Sequence, residues 1–246
     1  MSNCHPNAVE PDQKELSALA HRLFSSNPDI DILRAYFDAA KQTRNFNHAK
    51  QTFEALQKRY PANHNIRSLF IVICLQQNDL SAAMDAIETL VAFSKPDDDL
   101  IDSSLSVRHK IGPREINQNR TDGPTLSVCM VVKNEQASLG PCLNAVKAIA
   151  NEIVVVDTGS VDRSPDIARI FGARVFSFDW KDDFSAARNY ALQNARADWV
   201  LILDADEIIA GRDLIVLKNR IQSCRSRQVA FSISVNKGKA SFWGLI

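Results

Sequence analysis

"EIVVVDTGSVDRSPDIARIFGARVFSFD", residues 152–179, decides the fold. It opens with an apolar run rich in Val and Ile that ends in an acid and is too short for a helix, so it reads as a buried strand. "DTGS" then supplies turn chemistry. Ser164 is placed to cap a helix and Pro165 to occupy its first position, where a missing N–H costs nothing. Gly172 falls where that helix must stop, and "RVFSFD" (174–179) resumes the β-rich rhythm. Strand, helix and strand within about 30 residues make a βαβ unit, whose strands run parallel.

The rhythm extends both ways. "LSVCMVV" (126–132) precedes the unit and "WVLILD" (199–204) comes after it, with helical stretches "ASLGPCLNAVKAIA" (137–150) and "DFSAARNYALQNA" (183–195) between the strands. Near-continuous apolar strands point to burial on both faces. Right-handed crossovers then stack the units into a parallel three-layer sandwich, so residues 125–246 read as one α/β domain.

Before it the period is different. From Pro11 to about Lys95 apolar residues recur at helical spacing, and Ala49, Phe53 and Leu56 map onto Ala83, Ile87 and Leu90 at an offset of 34. "RYPAN" and "FSKPDD" close successive units with a proline just past a helix. Residues 11–95 are therefore expected to be an all-α domain of paired helices that resembles tetratricopeptide repeats, with a protein partner as its expected ligand. Residues 96–124 gather Pro, Gly, Asp and Asn and read as a linker, with room for a short helix around Leu100 to Val107.

Composition narrows the function. Lys plus Arg and Asp plus Glu balance at 29 each, which gives no bulk field for nucleic acid or an anionic membrane. The longest apolar run, "LFIVICL" (69–75), is too short to span a bilayer. The cysteines Cys4, Cys74, Cys129, Cys142 and Cys224 show neither C-x-x-C pairing nor zinc spacing, and they read as reduced thiols of a cytoplasmic protein.

In a parallel sheet, ligands meet the carboxyl ends of the strands. Here those ends are "KNE" (133–135), "DTGSVDRS" (157–164), "WKDDFS" (180–185) and "DADE" (204–207). A dinucleotide or P-loop site needs glycines after the first strand, and "VVKNEQASLG" has none before Gly140. The edge is instead acidic. An acidic crevice repels a diphosphate unless a divalent cation, Mg2+ or Mn2+, bridges the two with one or two carboxylates and the phosphate oxygens as ligands.

Four blocks, "LSVCMVVKNE", "NEIVVVDTGSVDRSPDIARIFGARVF", "DDFSAARNYAL" and "ADWVLILDADEII", together resemble the family 2 glycosyltransferases, whose nucleotide-binding half has the GT-A fold. The resemblance runs from about Leu126 to Ile209 and, with the helical repeats, is similar to a bacterial subgroup carrying tetratricopeptide modules. It implies an inverting transferase that uses a nucleotide diphosphate sugar, of the uridine diphosphate type, with a divalent metal and an acceptor the sequence leaves open. Residue by residue, the backbone at Val131 would border the nucleobase, with Glu135 close by. Asp157 would accept from the uracil imide, and Arg188 would lie near the diphosphate or base. Asp204 would reach the ribose or metal-bound water, and Asp206 would ligate the metal.

Each assignment has a plainer competitor. Asp157 can simply cap the "TGS" turn, Arg188 can pair with Asp182 or Asp183, Lys181 reads as a solvated charge, and Glu207 as a loop anchor. The acceptor-binding half of the family, which carries the general base, is not matched by "GRDLIVLKNRIQSCRSRQ" and "VAFSISVNKGKASFWGLI", expected to be a helix and one strand. The expectation is therefore an incomplete GT-A-like domain without a nameable base, its apolar Phe231, Ile233, Phe242 and Trp243 uncovered. The alternative is a non-catalytic helical-repeat interaction protein with a remnant sugar-nucleotide domain. A nucleotidyltransferase would add a glycine- and lysine-rich first loop, which is absent here.

Overall fold

The structure, a computed structural model, describes residues 13–114 and 123–224. The apolar residues Phe231, Ile233, Phe242 and Trp243 and the strand expected around them lie outside the described residues. The chain divides into two compact units, residues 1–90 and 91–246.

The first unit is helical: α1 (Gln13–Ser25), α2 (Ile30–Gln42), α3 (Phe46–Arg59), α4 (His64–Gln76) and the start of α5 (Leu80–Phe93). The repeat found in the side chains recurs in the backbone. Arg44 and Asn78, 34 positions apart, both take positive φ, 52° and 56°. Beside them Asn45 N donates to Ala40 O, and Asp79 N to Cys74 O, each at 2.9 Å. These bonds end α2 and α4 in the same left-handed turn, which satisfies carbonyls the helix cannot. The N-caps keep the spacing too. Asp29 accepts from Ile32 N and Asn63 from Ile66 N. Ala49, Phe53 and Leu56, with their counterparts Ala83, Ile87 and Leu90, are all buried. Neighbouring helices pack in pairs, and α1 also touches α3 and α2 touches α4, as stacked helix pairs must.

The second unit opens with α6 (Asp98–Ile111). The short helix allowed around Leu100 to Val107 is present and longer, so residues 98–111 of the expected linker are helical. Asp97 caps the helix by accepting from Leu100 N at 2.9 Å, and it lies 34 residues beyond Asn63, so the acid-rich segment is a helix start in the same period. Its buried face is Ile101, Ser104, Val107 and Arg108. Arg108 Nε donates to Ile170 O at 2.8 Å, and Arg114 donates through its backbone N to Gly172 O and through Nε to Phe171 O, each at 2.9 Å. Two acceptors, Ile170 O and Phe171 O, belong to carbonyls left over at a helix end.

That helix is α8 (Ser164–Ile170), part of the α/β succession β1 (Leu126–Val132), α7 (Leu139–Val146), β2 (Glu152–Asp157), α8, β3 (Arg174–Ser177), α9 (Phe184–Asn194), β4 (Trp199–Ile202) and α10 (Gly211–Ser223). All pairings are parallel and the strand order is β3-β2-β1-β4. The chain winds outward from β1 to β3, then returns past β1 to lay down β4. Because crossovers are right-handed, the reversal carries α9 to the sheet face opposite α7 and α8. On the α9 face Cys129, Val154, Val156 and Ala191 form a core that Val131, Phe176 and Tyr190 border. Burial on both faces holds for β1 and β2. It fails for β3 and β4, the two edges of the described sheet: β3 has three half-buried positions and the exposed Ser177, and β4 alternates buried with half-buried.

The expectation for Ser164 is corrected. The helix cap falls at Arg163, without a side-chain bond, and the fully buried Ser164 hydroxyl instead bonds Asp162 and the N–H of Glu135.

Candidate functional site

Reversal of the winding opens a crevice between the carboxyl ends of β1 and β4, the place where doubly wound sheets receive ligands. β4 continues as Leu203, whose N–H still reaches Cys129 O at 3.1 Å, and then turns outward as "DADE". The turn closes on itself, with Glu207 N donating to Asp204 O at 3.1 Å and Asp204 N to Glu207 Oε2 at 3.4 Å. Ala205 is buried between the exposed Asp204 and Asp206. Alternation therefore directs both aspartates away from the core while the chain between them is pinned to it.

Across the crevice α9 brings Arg188 to Asp204, with Nη2 to Oδ1 at 3.2 Å. The expected local partners are otherwise engaged. Asp183 caps α9 through Ala186 N, and Asp182, itself at φ 56°, accepts from Trp180 Nε1. Arg188 is thus a crevice cation, set against the carboxylates of Asp204, Asp206 and Glu207. Glu207 lies beside the two aspartates with its carboxyl raised above its ordinary range, chiefly by burial. The Asp204 N–H opposes that rise, the Asp204 and Asp206 charges add to it, and Arg188 offsets it. Beneath the turn, the Cys142 thiol on α7 donates to Asp204 O at 3.6 Å and is pushed up to about 12 by burial and by the same acids.

On the other side of β1 the acids serve structure. Asp157 ends β2, pairs with Val132 in register, and accepts from Ser160 N at 3.2 and 3.3 Å, so it does cap the "TGS" turn. The half-exposed carboxylate retains free lone pairs on its outer side. Glu135 bonds the Ser138 hydroxyl through Oε2, which ties its carboxylate to the first turn of α7. Asp162 accepts from Gln136 N at 3.1 Å and from Ser164 Oγ at 2.6 Å, and Ser164 Oγ in turn accepts from Glu135 N at 2.7 Å. Asn134, in the left-handed region at φ 57°, donates its N–H to Ser160 Oγ and accepts from Val161 N. The β1–α7 and β2–α8 loops are therefore laced together. Val131 sits where that lacing begins, in register with Val156.

The structure thus unites Arg188, Asp204, Asp206 and Glu207 at the switch point and leaves Asp157 one strand away. Ser160 and Ser164, which in the sequence read as turn and cap residues, prove to be the ties between loops. Two serines four residues apart beside "DTGS" are their only sequence signal.

No group of three or more His, Cys, Asp or Glu among the described residues is arranged to hold a metal ion by itself. The donor set at "DADE" nevertheless fits Mg2+ or Mn2+, which are bound through one or two carboxylates and completed by phosphates and water. Its two aspartates are exposed, one residue apart on the same side of the turn. Among the described residues no helix is long and apolar enough to cross a membrane.

The described sheet is parallel and doubly wound, with acids at the switch point where such sheets receive ligands. Residues 127–245 match the family model described as Glycosyl transferase family 2. A TPR repeat-containing protein of Synechococcus elongatus is 52% identical over 82 residues, which cover 33% of this chain and 20% of that protein. The SPbeta prophage-derived glycosyltransferase SunS of Bacillus subtilis is 37% identical over 91 residues, 36% of this chain and 22% of the relative. The chain spans about a fifth of the length of these curated relatives. Among solved structures, glucosyl-3-phosphoglycerate synthase from Mycobacterium tuberculosis in complex with Mn2+ and uridine-diphosphate-glucose aligns with a TM-score of 0.37 at 23% identity, covering 42% of this chain and 41% of that one.

Proposed function

We propose that the chain binds a nucleotide diphosphate sugar, of the uridine diphosphate type, at the carboxyl edge between β1 and β4, and that it serves inverting transfer of the sugar to an acceptor hydroxyl. The observation that carries this reading is the exposed Asp204 and Asp206 pair facing Arg188 at the switch point of a glycosyl transferase family 2 domain. Asp206, with Asp204, would hold Mg2+ or Mn2+. When bound, such an ion supplies Lewis-acid stabilisation of the charge that builds on the departing nucleoside diphosphate.

The protein's own groups do the rest. Arg188 can turn from Asp204 to a phosphate oxygen, since both ends of the pair are about half exposed and exchange costs little. Asp157, oriented by Ser160 N, accepts the imide N–H of the base on its free side. The backbone at Val131 and the loop carrying Glu135 border the base. Stacked helix pairs build an extended face, and residues 13–90 are assigned a protein partner on that ground. Free Cys74, Cys129 and Cys142 suit a reducing compartment, and the cytoplasm is proposed.

Calorimetric titration with uridine diphosphate, with and without Mn2+, tests the reading on the wild-type chain and on Asp206→Ala. Metal-dependent binding that Asp206→Ala loses is expected. Absence of metal-dependent binding by the wild type overturns it.

A further inference from the structure

Arg163 contacts none of the donor-site acids, yet it is one of the most heavily bonded side chains described. Its Nη1 meets Asp98 Oδ1 at 2.8 Å, its Nη2 meets Asp102 Oδ1, and its Nε meets Asp166 Oδ2 at 2.7 Å. Asp98 and Asp102 lie one turn apart on α6, and Asp166 lies in the first turn of α8. One planar guanidinium with its fork of donors is thus shared by two helices, a geometry a lysine ammonium cannot reproduce. Hydrogen bonds that it donates to Asp102 and Asp166 hold the guanidinium charged far above its ordinary range, against a desolvation that works the other way.

The backbone of the same residue carries this anchorage into the loops. Arg163 N donates to Gln136 Oε1 at 3.1 Å, while its neighbour Asp162 accepts from Gln136 N and its neighbour Ser164 accepts from Glu135 N. Gln136 is therefore gripped at both its backbone and its side chain by the segment that Arg163 anchors. Through Ser160 the same lacing reaches Asn134 on one loop and Asp157 on the other.

We infer that Arg163 is a positioning residue for the nucleotide site: it ties the β2–α8 loop to α6, and through that loop fixes Asp157 and the Asn134–Gln136 segment at the end of β1. This rests on the nucleotide-sugar reading of the site. The division of labour comes from burial. Asp98 and Asp102 are 78% and 67% exposed, so their pairing adds little to global stability, whereas it decides where a loop with few core contacts of its own comes to rest.

Two measurements on the full chain test it, using Arg163→Ala, Arg163→Lys and the α6 double variant Asp98→Asn/Asp102→Asn. In the ligand-free protein, amide hydrogen exchange at residues 134–136 and 160–164 is expected to speed up in Arg163→Ala and in the double variant, with the thermal midpoint nearly unchanged. In calorimetry with uridine diphosphate and Mn2+, both are expected to bind about tenfold more weakly than wild type, the scale on which supporting partners act on a binding site, with Arg163→Lys between. Weakening by the α6 double variant is the decisive result, because a purely local role for Arg163 beside Asp166 would not produce it. Wild-type binding with unaltered affinity in both Arg163→Ala and the double variant overturns the inference, as does unaltered exchange. No binding by the wild-type chain overturns the nucleotide reading, and the positioning role falls with it.

Discussion

Arg188 on α9 and Asp204 after β4 are joined across the crevice, Nη2 to Oδ1 at 3.2 Å, although 16 residues and a whole strand separate them in the chain. The pair places a cation against the "DADE" acids. Replacing Arg188 by Ala is expected to weaken uridine diphosphate binding by more than tenfold. The thermal midpoint should barely move, since exposed pairs contribute about 0.2–1 kcal/mol. Arg188→Lys should restore only part of the affinity, because an ammonium cannot make the two-pronged contact with phosphate. Calorimetry beside thermal melts separates the two effects, and a large loss of stability in Arg188→Ala would show the pair to be structural.

Glu207 sets a pH dependence. Its carboxyl is raised in the folded protein, first by burial and then by repulsion from Asp204 and Asp206. A raised acid binds its proton more tightly folded than unfolded. Its favourable contribution is present below the unfolded value, near 4.5, and is lost as pH rises through the folded value. Glu207→Gln is therefore expected to raise the thermal midpoint at neutral pH and to make little difference at pH 4. The same midpoint change at both pH values would contradict this.

The thiols give a test of the packing beneath the site. Burial pushes Cys74 up to about 11 and Cys129 and Cys142 up to about 12. At pH 8 a thiol at 12 is ionised in about one molecule in ten thousand. Cys129 and Cys142 are expected to resist iodoacetamide in the folded protein and to react in denaturant, as mass spectrometry of the peptides would read. Rapid native labelling of Cys142 would mean that the "DADE" turn does not cover it.

Gly172 tests the attachment of α6. It takes φ +75°, and a methyl group there would stand 2.9 Å from Arg114 N and 2.8 Å from Arg114 Cγ. Gly172→Ala is expected to lose at least the 1–2 kcal/mol that left-handed backbone costs an ordinary residue, roughly, with the contact adding to it. Urea denaturation measures this, and unchanged stability would show that the Arg114 segment does not rest there.

β1 and β2 are legible in the sequence to the residue because each has a neighbour on both sides and an unbroken apolar run. β3 and β4 end two residues sooner than their sequence pattern: Phe178 and Leu203 each keep a backbone bond to the neighbouring strand, to Asp157 O at 2.8 Å and to Cys129 O at 3.1 Å, before the chain leaves the sheet. Phe178 there packs on Tyr190 at 5.5 Å between ring centres, and Leu203 is buried. Helix α6 is legible only as a short helix around Leu100 to Val107, because the Pro and Asp that start it are also those of a linker. At the site, the acids are visible in the sequence and their sorting is not. Sequence proximity suggests Asp182 or Asp183 for Arg188, whereas capping consumes Asp183 and the sheet's reversal delivers Asp204. The ties through Ser160 and Ser164 depend on two loops meeting, which no local pattern encodes.

The most direct measurement is a diffraction structure of the chain with uridine diphosphate and Mn2+, with the metal located by its anomalous scattering. A peak is expected at ligand distance, about 2.0–2.2 Å, from an Asp206 carboxylate oxygen and between it and the diphosphate, at the carboxyl edge of β1 and β4. Nucleotide and metal bound at any other face, or at this edge without contact to Asp204 or Asp206, would contradict the assignment.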